Sequence, residues 1–394
     1  MRTIALVFNL QHTSPQQQYM YVKMKLSPSQ SRQRPSNSSR LPTFVPNELI
    51  TVVLSRLPVK SFMRMRCVSK PCNSLFTDSN FVKLHFIQSA RNPHLALVTK
   101  NTKSVVPVPV CDLLDNSLIT IDEDPCYLTH ENIHPINDKV IREIVGSCNG
   151  LICILSYSIV SQDLWLHFWN PSTRKISKKI GHIFRLFRGR SYKARSIKFT
   201  FGYDSSSDNY RVLAIKFNGY NVRTIEAKIF SLGENAWRNV EIFPAVPLQL
   251  ISYDYQVKGG VCLSGTFNWL SVFDFNVLDV EQYVIISLNL GTNTWTQMRL
   301  PPGFDKNSVY VCPTISVLMG YLCFSYNFNQ THIVIKESWT QFLRISYQHL
   351  QSVFNHRYNR RLYTALLVPL YLSDDGHRLI LASNLDDQAI IYKR

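Results

Sequence analysis

Hydrophobic and polar residues divide the chain into three parts with different spacing. Residues 11 to about 42 are rich in Gln, Ser, Pro and Arg. This composition buries too little apolar surface to order a chain, so we predict a disordered polar tail over residues 1–42. Apolar positions recur at helical spacing within residues 43–88, and residues 89–394 hold short strand-like runs. We therefore predict a small all-α unit followed by a large all-β domain.

Two short helices are predicted in residues 43–88. The apolar positions of the first are Leu49, Ile50, Val53, Leu54 and Leu57. Pro46 stands where a helix can begin, and Pro58 ends the helix because proline disfavours helical geometry in the residue before it. Phe62 and Val68 are apolar positions of the second helix.

Units of about 40 residues usually need a disulfide, a metal or a partner to be stable. No metal-ligand spacing occurs in this unit, so we interpret it as an adaptor that completes its core on another protein.

Short runs of β-branched and aromatic residues fill the chain from about residue 94 onward. Turn signals separate these runs, and they include Asn149-Gly150, Asn218-Gly219, Ser264-Gly265 and Asp375-Gly376. A weak repeat of strand, polar turn and tryptophan recurs at Trp237, Trp295 and Trp339. An interval of roughly 50 residues is typical of propeller blades. The pattern predicts a propeller-like array, with a β-sandwich as the alternative.

Composition indicates a cytoplasmic or nuclear protein. No apolar run approaches the roughly 18 residues of a membrane span. The opening MRTIALVFNL has an apolar core shorter than a secretory signal needs. The nine cysteines are scattered, and none form a C-x-x-C pair. Those in apolar runs are expected to be reduced and structural.

The net charge of +17 is concentrated in one segment. Residues 174–198 hold ten Lys or Arg, no acidic residue and three aromatic residues. We consider three interpretations: a solvated loop, a site for an acidic or phosphorylated protein, and a site for single-stranded nucleic acid. Nucleic acid ranks last among them. The candidate binding residues are Arg185, Arg188, Arg190, Lys193 and Arg195.

Two motifs imitate catalytic sites. HENIH at residues 130–134 matches the H-E-x-x-H pattern of zinc hydrolases, which requires a helix. Pro135 disfavours helical geometry at His134, so we expect a surface loop there. GSCNG at residues 146–150 imitates a nucleophile elbow around Cys148, but a strand-like run follows it, so we expect a hairpin turn. No metal or cofactor is expected, and a zinc hydrolase remains only a remote alternative.

The helical unit resembles the F-box of plant F-box proteins. Residues 57–61 (LPVKS) and 66–70 (RCVSK) match its two central pieces. Two positions depart from the family pattern: Val45-Pro46 stands for the usual Leu-Pro, and Pro71-Cys72 for a position that is usually aromatic. A missing aromatic would weaken the packing of the third helix.

The β-rich part resembles the F-box-associated domain of the same proteins. The matching pieces include GSCNGLICI, WNPSTRK, FGYDSSSDNYRVL and LNLGTNTW. The family usually places a further strand before the KESWT element, so its absence near residues 333–340 predicts a blade one strand short.

Together the resemblances imply the substrate receptor of a Skp–cullin–F-box ubiquitin ligase. Such a protein is not an enzyme. Its F-box binds a Skp-type adaptor and, through it, a cullin, while the β-domain binds a target protein. The residues expected on the adaptor face are Pro46, Leu49, Ile50, Leu54, Leu57, Pro58, Phe62 and Val68. The alternative from charge alone is a basic nucleic-acid-binding β-protein.

Overall fold

The chain forms two compact units, one of residues Ser14–Arg91 and one of Met1–Thr13 together with Asn92–Arg394. No helix within the described residues is long and apolar enough to cross a membrane. The computed structural model describes residues 4–9, 47–57, 61, 64–65, 67–89, 94–99, 104–115, 126–127, 140–158, 160–161, 163–171, 173–182, 197–217, 225–241, 245–247, 260–272, 283–300, 313–328, 330–335, 340–346, 367–383 and 389–393.

Three helices are described in the helical unit: α1 (Asn47–Ser55), α2 (Lys70–Thr77) and α3 (Ser79–Ser89). The Ser69 side chain caps α2 by accepting a hydrogen bond from the backbone N–H of Cys72 at 3.2 Å. Asp78 does the same for α3, since its carboxylate accepts from the backbone N–H of Phe81 at 2.9 Å. These caps satisfy helix-terminal N–H groups that have no partner inside the helix.

The core of the helical unit is small and lies between the three helices. Leu54, Phe76 and Phe81 are its buried members. The rings of Phe76 and Phe81 are 5.5 Å apart between centroids. Leu57, Met65, Cys72 and Leu75 pack against this cluster while staying partly exposed. Cys72 therefore occupies a core-facing position of α2, where the family pattern has an aromatic residue.

The β-unit is built from six antiparallel sheets within the described residues, and four of them have four strands each. Sheet 1 contains β1 (Ile4–Asn9), β2 (His94–Thr99), β3 (Ser104–Pro109) and β4 (Cys126–Tyr127), and a short helix, α4 (Val110–Asp115), follows β3. Sheet 2 contains β5 (Val140–Cys148), β6 (Leu151–Ser158), β7 (Leu164–Asn170) and β8 (Lys175–Ile176). Sheet 3 contains β9 (Ile197–Asp204), β10 (Asn209–Phe217), β11 (Ile225–Ser231) and β12 (Ala236–Val240).

The remaining sheets complete the series. Sheet 4 contains β13 (Val246–Pro247), β14 (Val261–Leu263), β15 (Thr266–Val272), β16 (Tyr283–Asn289) and β17 (Trp295–Arg299). Sheet 5 contains β18 (Thr314–Leu318), β19 (Tyr321–Phe328), β20 (Gln330–Ile335) and β21 (Thr340–Ser346). Sheet 6 contains β22 (Leu367–Leu372), β23 (Arg378–Ser383) and β24 (Ala389–Lys393).

The sheets form a propeller-like ring, as the sequence predicts. Contacts run from β5 to β9, from β9 to β14, from β14 to β18 and from β18 to β22. β1 contacts both β22 and β5, so it closes the ring. Large aromatic side chains pack between neighbouring sheets, as Phe168 of β7 does against Phe201 of β9 at 5.5 Å between ring centroids.

Tight turns join the strands where the sequence predicts them. Asn149 and Gly150 both have positive φ, at 52° and 74°, and so do Ser264 and Gly265, at 47° and 71°. Two consecutive positive φ angles define the two-residue hairpin turn that matches strand twist. Gly376 also has a positive φ of 72°. Asn218-Gly219 lies outside the described residues.

Two expectations are corrected by the strand order. The tail predicted for residues 1–42 contains a strand, since Ile4–Asn9 pairs antiparallel with β2. The blade expected to lack a strand near residues 333–340 is complete, because β18 to β21 form a four-stranded sheet. The three-stranded sheet is instead the last one, β22 to β24.

Candidate partner-binding surfaces

The first helix exposes an apolar strip, which we call the α1 strip: Leu49, Ile50, Val52 and Val53. Leu49 is 56% exposed and Val53 is 62% exposed. They stand four residues apart and therefore lie one above the other on the helix surface. Large contiguous apolar patches are rare on monomeric soluble proteins, so neighbouring exposed aliphatic side chains on one helix typically mark a binding surface.

The predicted adaptor-face residues fall into different places. Leu49 and Ile50 lie on the α1 strip, and Val68 is 70% exposed in the segment before α2. Leu54 is only 7% exposed and belongs to the internal core, while Leu57 packs partly against that core. Leu54 therefore supports α1 from inside the unit and does not offer its side chain to a partner. Pro46, Pro58 and Phe62 lie outside the described residues.

Four exposed aliphatic residues were missing from the predicted adaptor set: Val52 and Val53 on α1, and Val82 and Ile87 on α3. Their exposed fractions range from 43% to 62%. The signal for Val53 was present, because it stands one helical turn from Leu49. No comparable signal marks Val82 and Ile87, since α3 has apolar residues on all sides of the helix.

The predicted basic residues Arg185, Arg188, Arg190, Lys193 and Arg195 lie outside the described residues. The described residues just before them, 174–182, include three exposed lysines, Lys175, Lys178 and Lys179. The Lys179 Nζ lies 4.1 Å from the centroid of the Trp165 ring on β7. This distance places the ammonium over the negative face of the aromatic ring.

The two motifs that imitate catalytic sites gain no support from the described residues. HENIH at residues 130–134 lies outside them, and no group of three His, Cys, Asp or Glu able to hold a metal occurs among them. Cys148 is buried at the end of β5 and precedes a hairpin turn, as predicted. Burial, with a smaller contribution from Cys262, raises its pKa well above the usual thiol value. Cys148 is therefore protonated at neutral pH and is a poor nucleophile.

Comparison with known proteins matches two family models to separate parts of the chain. Residues 45–84 match the F-box domain, and residues 98–363 match the F-box associated beta propeller domain. The chain is 26% identical to F-box protein CPR1 of Arabidopsis thaliana, covering 86% of this chain and 80% of the relative. It is 25% identical to an F-box/kelch-repeat protein of the same plant, covering 77% of this chain and 80% of that relative.

Proposed function

The chain belongs to the family of F-box proteins that carry an F-box-associated β-propeller domain, and on that premise we propose that it is the substrate-recognition subunit of a Skp–cullin–F-box ubiquitin ligase. The helical unit binds the Skp-type adaptor, and the adaptor connects the chain to the cullin. The β-unit binds a target protein. The exposed α1 strip is the observation that carries the proposal.

The α1 strip supports adaptor binding because the unit's own core is already formed without it. Leu54, Phe76 and Phe81 bury one another inside the unit. Leu49 and Val53 are left on the outer surface of the same helix. Burying an aliphatic side chain of this kind stabilises a complex by roughly 1.5–3 kcal/mol. Docking the strip on an apolar groove therefore supplies affinity without unfolding the unit.

The proposed role requires no bond chemistry from this chain. A receptor holds the target beside the ligase, so ubiquitin transfer to the target becomes effectively intramolecular. We place this activity in the cytoplasm or the nucleus. The basic segment with Arg185, Arg188 and Arg190 favours a target with acidic or phosphorylated groups, because Arg forms paired hydrogen bonds with carboxylates and phosphates.

Capture through the cullin tests this function. The full chain is co-expressed with a Skp-type adaptor and a cullin, and the cullin is captured. We expect the wild-type chain to be retained and Val53→Asp to be lost, because the carboxylate would have to be desolvated at the interface.

The matched control is Val160→Asp, which places the same charge on an exposed valine of the β-unit. This variant is expected to be retained like wild type. Failure to capture the wild-type chain, or equal capture of Val53→Asp, would contradict the proposal. Wild-type binding to RNA or DNA that weakens steeply with salt, without any adaptor capture, would favour the nucleic-acid alternative instead.

A further inference from the structure

The outer edge of sheet 2 is basic and open to solvent. Its last strand, β8 (Lys175–Ile176), pairs with β7 on one side, and the chain beyond it makes one more bridge, between Ile180 and Leu166. We call residues 174–180 the β8 edge. Its exposed basic side chains are those of Arg174, Lys175, Lys178 and Lys179. Because these side chains lie on the surface, a partner reaches them without any rearrangement of the fold.

The positive charge of the β8 edge is not balanced by its surroundings. The sequence from residue 164 to residue 182 contains no Asp or Glu. Within the described residues, Lys175, Lys178 and Lys179 form no ion pair. Lys179 lies instead over the ring of Trp165, with 4.1 Å between Nζ and the ring centroid. Like charges on one edge repel one another, so an anionic partner that docks there relieves this repulsion.

Exposed lysines on an edge strand also deter other strands from pairing with it, which prevents aggregation. The outer strands of the next two sheets show how little charge this protection takes in the same protein. β12 exposes one basic residue, Arg238, whose Nη2 lies 2.8 Å from Oε2 of Glu234. β17 also exposes one, Arg299, beside the neutral Thr296 and Gln297. The β8 edge is therefore more basic than the protection of an edge strand requires.

An exposed isoleucine lies within this positive charge. Ile176 is 36% exposed and stands between Lys175 and Lys178 in the chain. Neither β12 nor β17 exposes an aliphatic side chain. Ion pairs between exposed groups are individually weak, so an apolar contact among the charges adds affinity that the charges alone do not supply.

The side chains of the β8 edge suit an acidic protein segment better than a nucleic acid. Binding of single-stranded nucleic acid relies on aromatic rings that stack on the bases. Trp165 and Trp169 of β7 are only 2% and 4% exposed, and residues 171–182 include no Phe, Tyr or Trp. The described part of this edge therefore offers bases no aromatic ring, whereas it offers carboxylates several ammonium groups.

We propose that the β8 edge docks an acidic segment of the target protein in which carboxylates flank one apolar residue. The carboxylates pair with Lys175 and Lys178, and the apolar residue packs on Ile176. This inference rests on the receptor function proposed above and names the target chemistry that sheet 2 selects. Attraction between the opposite charges also speeds the encounter of the two proteins.

Fluorescence anisotropy with labelled, capped peptides tests this surface. The full chain is purified with its Skp-type adaptor, and the probe peptide carries one leucine between two blocks of glutamate. We expect wild type to bind the peptide and Lys175→Glu/Lys178→Glu to bind it about tenfold or more weakly, because repulsion replaces attraction.

The matched control is Arg238→Glu/Arg299→Glu, which makes the same change in net charge on the outer strands of sheets 3 and 4. Its affinity for the peptide is expected to stay within about twofold of wild type, because salt screens charges that do not contact the peptide. All four substituted side chains are exposed, so both variants are expected to fold.

Ile176 gives a second readout. A peptide with serine in place of the leucine is expected to bind wild type about threefold or more weakly, because it loses the apolar contact. Ile176→Ser is expected to bind the two peptides equally. A preference for leucine that persists in Ile176→Ser would contradict the proposed contact.

Three results would overturn the inference: no peptide binding by wild type, equal binding by Lys175→Glu/Lys178→Glu, or an equal loss in the control. Tighter binding of an oligothymidylate of the same charge would overturn it as well and would assign the β8 edge to nucleic acid. Adaptor binding by the same variants reports on the receptor function separately, because their α1 strip is unchanged. Absence of peptide binding with adaptor binding intact would contradict this inference alone.

Discussion

Val53 and Leu54 are neighbours in the sequence and have opposite surroundings in the structure. Leu54 is buried against Phe76 and Phe81, whereas Val53 is 62% exposed. The helical spacing of apolar residues predicts the helix that contains both. It does not separate the internal side of the apolar stripe from the external side, because that depends on where α2 and α3 pack. This is why Leu54 stood in the predicted adaptor set and Val53 did not.

The same contrast between neighbours gives a prediction for Phe81. Phe81 is 2% exposed in the helical core, and Val82 next to it is 49% exposed. We expect Phe81→Ala to destabilise the helical unit by about 3–5 kcal/mol, because it leaves a cavity among Leu54 and Phe76. Hydrogen exchange in the full chain is expected to accelerate throughout α1, α2 and α3.

The matched control for Phe81→Ala is Val82→Ala, which removes apolar atoms from the surface of the same helix. We expect hydrogen exchange in this variant to remain within experimental error of wild type. Equal protection of α1 in wild type and Phe81→Ala would contradict the core described for this unit.

At the scale of elements, local turn chemistry was the most predictable part of the β-unit. Asn149-Gly150 and Ser264-Gly265 form the expected turns because only residues that tolerate positive φ suit them. The tryptophan repeat was also informative, since Trp237 and Trp295 lie on β12 and β17, the last strands of sheets 3 and 4. Trp339 lies outside the described residues. The packing of neighbouring sheets against one another left no comparable signal in the sequence.

Gly202 shows what sequence patterns omit at this scale. It lies on β9, and a Cβ atom added there would stand 2.2 Å from Sγ of Cys262, the central residue of β14. β9 of sheet 3 and β14 of sheet 4 therefore approach so closely that a side chain does not fit. We expect Gly202→Ala to destabilise the β-unit by about 1–3 kcal/mol through overpacking, measured by chemical denaturation.

A second strand glycine provides the control for that substitution. A Cβ atom at Gly146 on β5 would stand 3.7 Å from the nearest atom, Cβ of Phe201, which is an ordinary contact distance. We expect Gly146→Ala to change the free energy of unfolding by less than about 1 kcal/mol. If Gly202→Ala proved equally harmless, the close approach of β9 and β14 would be wrong.

For the whole molecule, the main departure from the sequence-based prediction is the place of β1. Its six residues precede the helical unit in the chain, yet they pair with β2 and close the ring of the β-unit. Polar residues follow this strand for most of the next 33 positions, so composition predicted one disordered tail throughout. A single run of six residues is too short for its hydrophobic pattern to identify a partner strand. The partner, β2, also lies more than 80 residues further along the chain.

The closing role of β1 predicts that the N-terminus contributes to the stability of the β-unit. We expect a Gly/Ser replacement of Ile4–Asn9 to lower the Tm of the full chain, because β2 loses the backbone hydrogen bonds of its partner strand. The control is a Gly/Ser replacement of the same length at residues 27–32, in the polar segment. An unchanged Tm for the Ile4–Asn9 replacement would contradict the ring closure.

The central claim is that this chain is a receptor that binds a Skp-type adaptor through its helical unit. Titration calorimetry of the purified full chain with a purified Skp-type adaptor tests it most directly. We expect one-to-one binding by wild type, binding weakened about tenfold or more by Val53→Asp, and unchanged binding by Val160→Asp. No binding by a wild-type chain whose α1 is protected from hydrogen exchange, or equal binding by Val53→Asp, would contradict the claim.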